Sequence, residues 1–257
     1  MEPREKLIAY SLKYDGDFNK ILKAAHDVEY IEDCYKEAVR NLKCGTLTLA
    51  DLNYPSHLKN IYKPPIVIFY YGDISLLEDT ARNVSIVGSR ENSPYGERMT
   101  VEISTGLAKK GFNIVSGLAR GIDSIAHRSA MEAGGKTIAV LGCGIDTCYP
   151  AENLELCEEI KKNHLLISEY PGTTPPTTAS FPIRNRIIAG LSKTLVVAEA
   201  GEHSGSCITA TLAMNGNTDV MCVPYPAGSK SQCNKLISMG AALVESADDV
   251  IEQMAMF

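Results

Sequence analysis

The sequence predicts an α/β fold with a doubly wound, mostly parallel sheet and a small helical region at its N-terminus, and three observations carry that prediction. From Val84 onward, short β-branched runs alternate with amphipathic stretches of helical period. Four glycine-bearing loops each follow such a run, at Gly88-Ser89-Arg90, at Ser116 through Gly121, at Gly142-Cys143-Gly144 and at Ser204-Gly205-Ser206. Ahead of this region, residues 5–50 space their apolar side chains for helices alone.

The N-terminal helical pattern runs through Leu7, Tyr10 and Leu12, then Ile21, Leu22 and Ala25, then Tyr35, Ala38, Val39 and Leu42. It defines a helical region over residues 1–60. Asn53-Tyr54-Pro55 and Lys63-Pro64-Pro65 interrupt it, and residues 66–71 read as a strand closing at Gly72-Asp73. A domain boundary is therefore expected near residues 60–75, with the second domain over 61–257. Its strands are predicted at 84–87, 113–115, 137–141, 165–168, 194–198, 220–223 and 242–244. Crossover helices are predicted at 95–110, 122–133, 154–162, 208–215 and 230–239. Residues 170–180 hold three prolines and no periodicity, so they read as a long irregular loop leading into Phe181-Pro182-Ile183-Arg184-Asn185-Arg186.

The composition is that of an ordinary globular chain, with 45% hydrophobic residues. No apolar stretch approaches the roughly 20 residues that span a bilayer, and the N-terminus opens on charged residues, which predicts a cytoplasmic protein without a membrane contact. None of the eight cysteines forms a Cys-x-x-Cys pair, so no metal site is expected and the thiols read as small apolar residues, Cys222 in a strand-like run among them. With 31 acidic against 25 basic residues the formal charge is −6, which rules against a broadly basic nucleic-acid-binding surface. Any such binding has to be local.

Loops at the carboxyl edge of a parallel sheet gather free backbone N–H groups and helix N-termini, a surface suited to phosphate oxygens. Gly88 would let the backbone approach an anion while Ser89 and Arg90 donate to it, the guanidinium gripping phosphate with two N–H groups. The bland alternative is a tight turn with a solvated arginine. Ser116, Gly117, Arg120 and Gly121 repeat the arrangement before a helix, in which Asp123 reads as a first-turn carboxylate and His127 as a packed residue. Gly142-x-Gly144 lacks the third glycine of a dinucleotide fingerprint, and Pro150 delays the helix, so no nucleotide cofactor is expected. Phe181 would stack on a base with Arg184, Asn185 and Arg186 beside it; alternatively Phe181 anchors the loop and the arginines pair with Glu169 or Glu199. In the segment from Glu199 to Thr209, Ser204, Gly205, Ser206 and Thr209 either seat an anion or simply cap a helix. The sequence holds no nucleophile elbow, Walker motif, zinc spacing or paired carboxylates, so no catalytic residue is nominated and a binding protein is expected rather than an enzyme.

Taken in order, Tyr54-Pro55 through Pro64-Pro65, Gly88-Ser89-Arg90, Ser116-Gly117 through Asp123, residues 137–142, residues 181–192, Ser204-Gly205-Ser206 and Asn234-Lys235-Leu236-Ile237 resemble the DNA-processing protein A (DprA/Smf) family over about residues 54–247. The resemblance implies an extended Rossmann-like domain that binds single-stranded DNA, forms a homodimer and helps load a RecA-type recombinase in natural transformation. By motif match, Gly88, Ser89 and Arg90 would seat the phosphate backbone, Phe181 would lie against bases, and Arg184, Asn185 and Arg186 would support that pocket. This chain departs from the pattern at three places. Thr178 stands where the family tends to have a basic residue, Tyr225 replaces the glycine of a Pro-Gly pair, and Cys233 replaces the glycine before Asn234. These departures predict weaker DNA affinity or a changed ligand. With the last residue at Phe257, the winged-helix-like module found in some relatives is expected to be missing. The competing readings are a nucleotide-binding sensor or phosphoribohydrolase-like enzyme of the same superfamily, although its Pro-Gly-Gly-x-Gly-Thr-x-x-Glu signature does not occur, and an assembly protein whose phosphate pocket has decayed.

Overall fold

The structure, a computed structural model, describes residues 1–201, 204–215 and 218–255. Three helices open the chain, α1 (Pro3–Lys13), α2 (Phe18–His26) and α3 (Asp33–Arg40), followed by strand β1 (Gly45–Thr48), the short helix α4 (Ser56–Lys59) and β2 (Val67–Gly72). Strands and helices then alternate: β3 (Asn83–Val87), α5 (Pro94–Lys109), β4 (Asn113–Ser116), α6 (Ile122–Glu132), β5 (Thr137–Gly144), α7 (Leu154–Asn163), β6 (Leu165–Tyr170), α8 (Ser180–Gly190), β7 (Thr194–Val197), α9 (Gly205–Asn215), β8 (Asp219–Cys222), α10 (Cys233–Ser238), β9 (Ala242–Leu243) and α11 (Ala247–Met254). Among the described residues one sheet of nine strands runs in the order β1-β2-β6-β5-β4-β3-β7-β8-β9. From β6 to β9 every pairing is parallel, while β2 pairs antiparallel with both β6 and β1.

Strand order reverses at β3: the chain winds through β4, β5 and β6 on one side and returns at β7 on the other. A crevice must open between the carboxyl ends of β3 and β7, because their loops leave in opposite directions. The strands are apolar on both faces, as a sheet covered twice requires. Val87, Val140, Ile167 and Val197 point into one core with Ile187 and Ile188 of α8 and Ala210 and Ala213 of α9. Ile86, Val196 and Met221 point the other way, onto Met99, Ile103 and Leu107 of α5 and Ala126 of α6. On that second face, α1 and α2 bring Ile8, Tyr10 and Ile21 against Phe69, Leu141, Leu156 and Leu166. The helical region of residues 1–60 thus shares its core with the sheet and contributes β1 to it.

Three local expectations need correction. Residues 45–48 form a strand rather than helix, because they pair with the apolar edge that β2 presents. Gly142 through Gly144 continue β5 instead of forming a loop, and the register between β5 and β6 shifts there. Residues 181–186 belong to the first turns of α8, not to the end of a loop; Pro182 fits because first-turn helical positions need no N–H donor. No helix among the described residues is long and apolar enough to cross a membrane.

Candidate nucleic-acid interface

A cleft of about 570 Å³ opens where β3 and β7 diverge. The loop after β3 supplies Gly88, Ser89, Arg90 and Glu91; α8 supplies Phe181, Pro182, Arg184, Asn185 and Ile188. Ser204 and the first turns of α9 close it with Gly205, Ser206, Ile208 and Thr209, and Tyr149 and Thr178 stand at its rim.

Arg90 is exposed and, among the described residues, makes no ion pair. Its guanidinium carbon lies 5.3 Å from the centre of the Phe181 ring, and the Tyr149 ring packs on Phe181 at 5.5 Å with an interplanar angle of 34°. A cation on an aromatic face beside a second, half-open ring is an arrangement that stacks a base and holds its phosphate. The loop is positioned by backbone: Ile122 N donates to Ser89 O at 3.1 Å, and the Ser89 hydroxyl is spent on a local turn with Glu91. Gly121, at φ +70°, lies beneath this loop, where an added Cβ would press on the carbonyl oxygens of Ser89 and Arg90.

Arg184 is 4% exposed and forms the floor of the cleft. It donates to Gly117 O at 2.6 Å, to Val140 O and to Asn185 Oδ1 at 3.1 Å. Asp123, also buried, accepts from the N–H groups of Gly117 at 3.2 Å and Ala119 at 3.4 Å. Burial pushes the Asp123 carboxyl up, with the Arg184 guanidinium and those N–H groups pulling the other way, and burial likewise lowers Arg184. The two groups act as an internal brace. Asn185 Nδ2 reaches Gly205 O at 3.4 Å and joins α8 to the start of α9, where Ser204 Oγ caps Cys207 N at 3.4 Å and meets Ser206 Oγ at 2.8 Å. Thr209 Oγ1 donates back to Gly205 O at 2.9 Å.

Ten of the residues nominated from sequence therefore line one cleft: Gly88, Ser89, Arg90, Phe181, Arg184, Asn185, Ser204, Gly205, Ser206 and Thr209. Five do not. Ser116 is buried below the sheet edge, donating to Ile86 O at 2.6 Å, and Gly117 serves the Arg184 brace through its carbonyl. Gly121 acts from behind, and Arg120 is exposed and paired with Glu152. Arg186 points to the other side of α8, where it forms a double ion pair with Glu169 at 2.8 and 2.6 Å and donates to Lys63 O. Two residues apart on a helix, side chains diverge by about 200°, so Arg184 and Arg186 could not both face one pocket. Glu202 and His203, between Glu199 and Thr209, lie outside the described residues. Tyr149 was the residue that sequence reasoning missed, although an aromatic in the loop after β5 was its signal. Among the described residues, no three His, Cys, Asp or Glu side chains come together as metal ligands.

The family model for DNA recombination-mediator protein A matches residues 45–255. The chain is 39% identical to the DNA processing protein DprA of Bacillus subtilis over 245 residues, 91% of this chain and 81% of that one. Among solved structures, DprA from Streptococcus pneumoniae superposes with a TM-score of 0.79 at 35% identity, covering 96% of this chain and 92% of that one. DNA processing protein A from Helicobacter pylori, whose structure is described for its single-stranded DNA binding mode, gives 0.76 at 30% identity over 84% and 97%. The matched span contains every residue of the cleft, and the chain belongs to the DNA recombination-mediator protein A (DprA/Smf) family of DNA-processing proteins.

Proposed function

We propose that this chain binds single-stranded DNA in the cleft between β3 and β7 and takes part, without catalysis of its own, in DNA processing for transformation. The observation that carries this reading is the stack of Arg90 on Phe181 beside Tyr149, a cation and two aromatic rings at the one place where the sheet reverses. Bases stack on the rings, Arg90 holds the phosphate between them, and the start of α9 offers its positive end to a second phosphate. The Helicobacter pylori relative, whose structure is described for its single-stranded DNA binding mode, supports the choice of ligand. The proposal extends to a cytoplasmic homodimer that delivers DNA to a RecA-type recombinase; Met239 and Leu243, exposed beside the sheet edge β9, suit a second copy. Fluorescence anisotropy with labelled single- and double-stranded oligonucleotides across a salt series tests the reading. Tighter single-strand binding that weakens as salt rises is the expected result. Absence of binding at low salt, together with saturable binding of a nucleoside monophosphate, would replace it with the nucleotide-sensor reading.

A further inference from the structure

We infer that a second contact strip for single-stranded DNA lies outside the cleft, formed by Tyr62 and Lys63 with Lys59 beyond them, and that it receives the strand as it leaves Phe181. The inference rests on the single-strand reading of the cleft and adds to it a path.

Lys63 Nζ lies 5.4 Å from the centre of the Tyr62 ring and 5.8 Å from that of Phe18. The first distance is close to the 5.3 Å pairing of Arg90 with Phe181. Tyr62 is 76% exposed and contributes nothing to the core. A solvated tyrosine ring beside a lysine presents a face on which a base can stack and a charge that can meet its phosphate.

The strip is also held rigid and tied to the cleft. Lys63 has φ +50°, an uncommon conformation for a residue with a side chain. Its carbonyl accepts from Arg186 Nε at 2.9 Å, and Nη1 of the same guanidinium donates to Ile183 O at 2.8 Å. The buried pair with Glu169 fixes that guanidinium. Lys63 and Ile183 are therefore one guanidinium apart, and Ile183, 47% exposed, follows Phe181 and Pro182 on the same turn of α8. Arg186, which does not enter the cleft, gains a role as the strut that sets the strip against the cleft helix.

Charge chooses the direction. Asp15 and Asp17 are exposed on the turn before Phe18 and repel a phosphate on that side. Tyr62, Lys63 and the exposed Lys59 leave the opposite side open. A strand leaving Phe181 would pass over Ile183, stack a base on Tyr62 and run toward Lys59.

The test compares two oligonucleotides, one of about 2 nucleotides that stays within the cleft and one of about 20 that can also reach the strip. Wild type, Y62A/K63Q and K63R are titrated with both, with thermal melts to establish equal folding. The double variant should bind the short strand within about two-fold of wild type and lose about five-fold or more on the long one. Its salt slope on the long strand should flatten by about 0.7, the release expected from one phosphate contact, while K63R keeps wild-type behaviour. Equal binding of both lengths by wild type and double variant overturns the strip while leaving the cleft intact. An equal loss on both lengths overturns it too, since the loop would then act through α8. Wild type that binds neither length overturns the function proposed for the cleft, and the strip with it.

Discussion

Arg90 is the exposed cation of the cleft and Arg184 the buried one, and the two should fail differently when replaced. Arg90→Ala should leave the melting temperature unchanged, weaken single-strand binding and reduce its salt slope by about one contact in a titration series. Arg184→Ala strips the carbonyls of Gly117 and Val140 of a donor and leaves Asp123 buried without its counter-charge. It should cost about 3–5 kcal/mol in denaturant unfolding, so any loss of binding there reports on folding. His127 offers a pH test. Burial, aided by His164 and nearby arginines, lowers its imidazole from 6.5 to about 3. Thr137 Oγ1 donates to Ile114 O and so accepts from Nδ1–H of the neutral ring, whose Nε2 has no partner among the described residues. The unfolded chain takes up a proton below 6.5 that the folded chain refuses until about 3. Stability must therefore fall as pH drops through that window and be insensitive to this group above it. Melts of wild type and His127→Gln between pH 7 and pH 4 should converge on acidification.

At the scale of elements, the cleft exists because three segments meet at backbone positions. The loop after β3 rests on the start of α6, and Gly121 is where they touch. Gly121→Ala forces a Cβ against Ser89 O and Arg90 O at a φ that disfavours side chains. It should lower the melting temperature and also weaken DNA binding by shifting Arg90, whereas Arg90→Ala does only the second. Helix α8 divides its side chains between two tasks, with Phe181, Arg184 and Asn185 on the cleft and Arg186 on the ion pair behind it. Arg186→Ala should destabilise the protein by about 3–5 kcal/mol, because Glu169 is then left buried and alone, and calorimetry would measure it.

For the whole molecule, the telling junction is between the N-terminal helices and the sheet. Ile8, Tyr10 and Ile21 cover Phe69, Leu141 and Leu156, and β1 protects the edge of β2. Deleting residues 1–60 should therefore uncover an apolar face and an open strand, giving an insoluble product by expression and sedimentation. An outcome in which the remaining residues fold and bind DNA normally would make the helical region a separable unit.

The alternation of β-branched runs with helical periodicity was enough to specify a doubly wound sheet, because a parallel strand buried on both faces has to be apolar throughout and its crossover has to be amphipathic. Three of the four glycine loops were legible for a related reason: a backbone that turns at a strand end and packs closely on a neighbouring element, as Gly88 does on Ile122 and Gly117 on Arg184, leaves no room for side chains. Sequence alone could not decide which member of a motif faces the cleft. Arg184 and Arg186 look alike in sequence, and only the rotation of α8 against the sheet sends one beneath the cleft and the other to Glu169. Strand β1 escaped detection because four residues carry too little periodicity, and the pairing edge that recruits them lies about twenty residues away. Tyr149 joined the site only when β5 and α8 were brought together, since contact between its ring and Phe181 is a property of packing across the sheet edge and not of any local pattern.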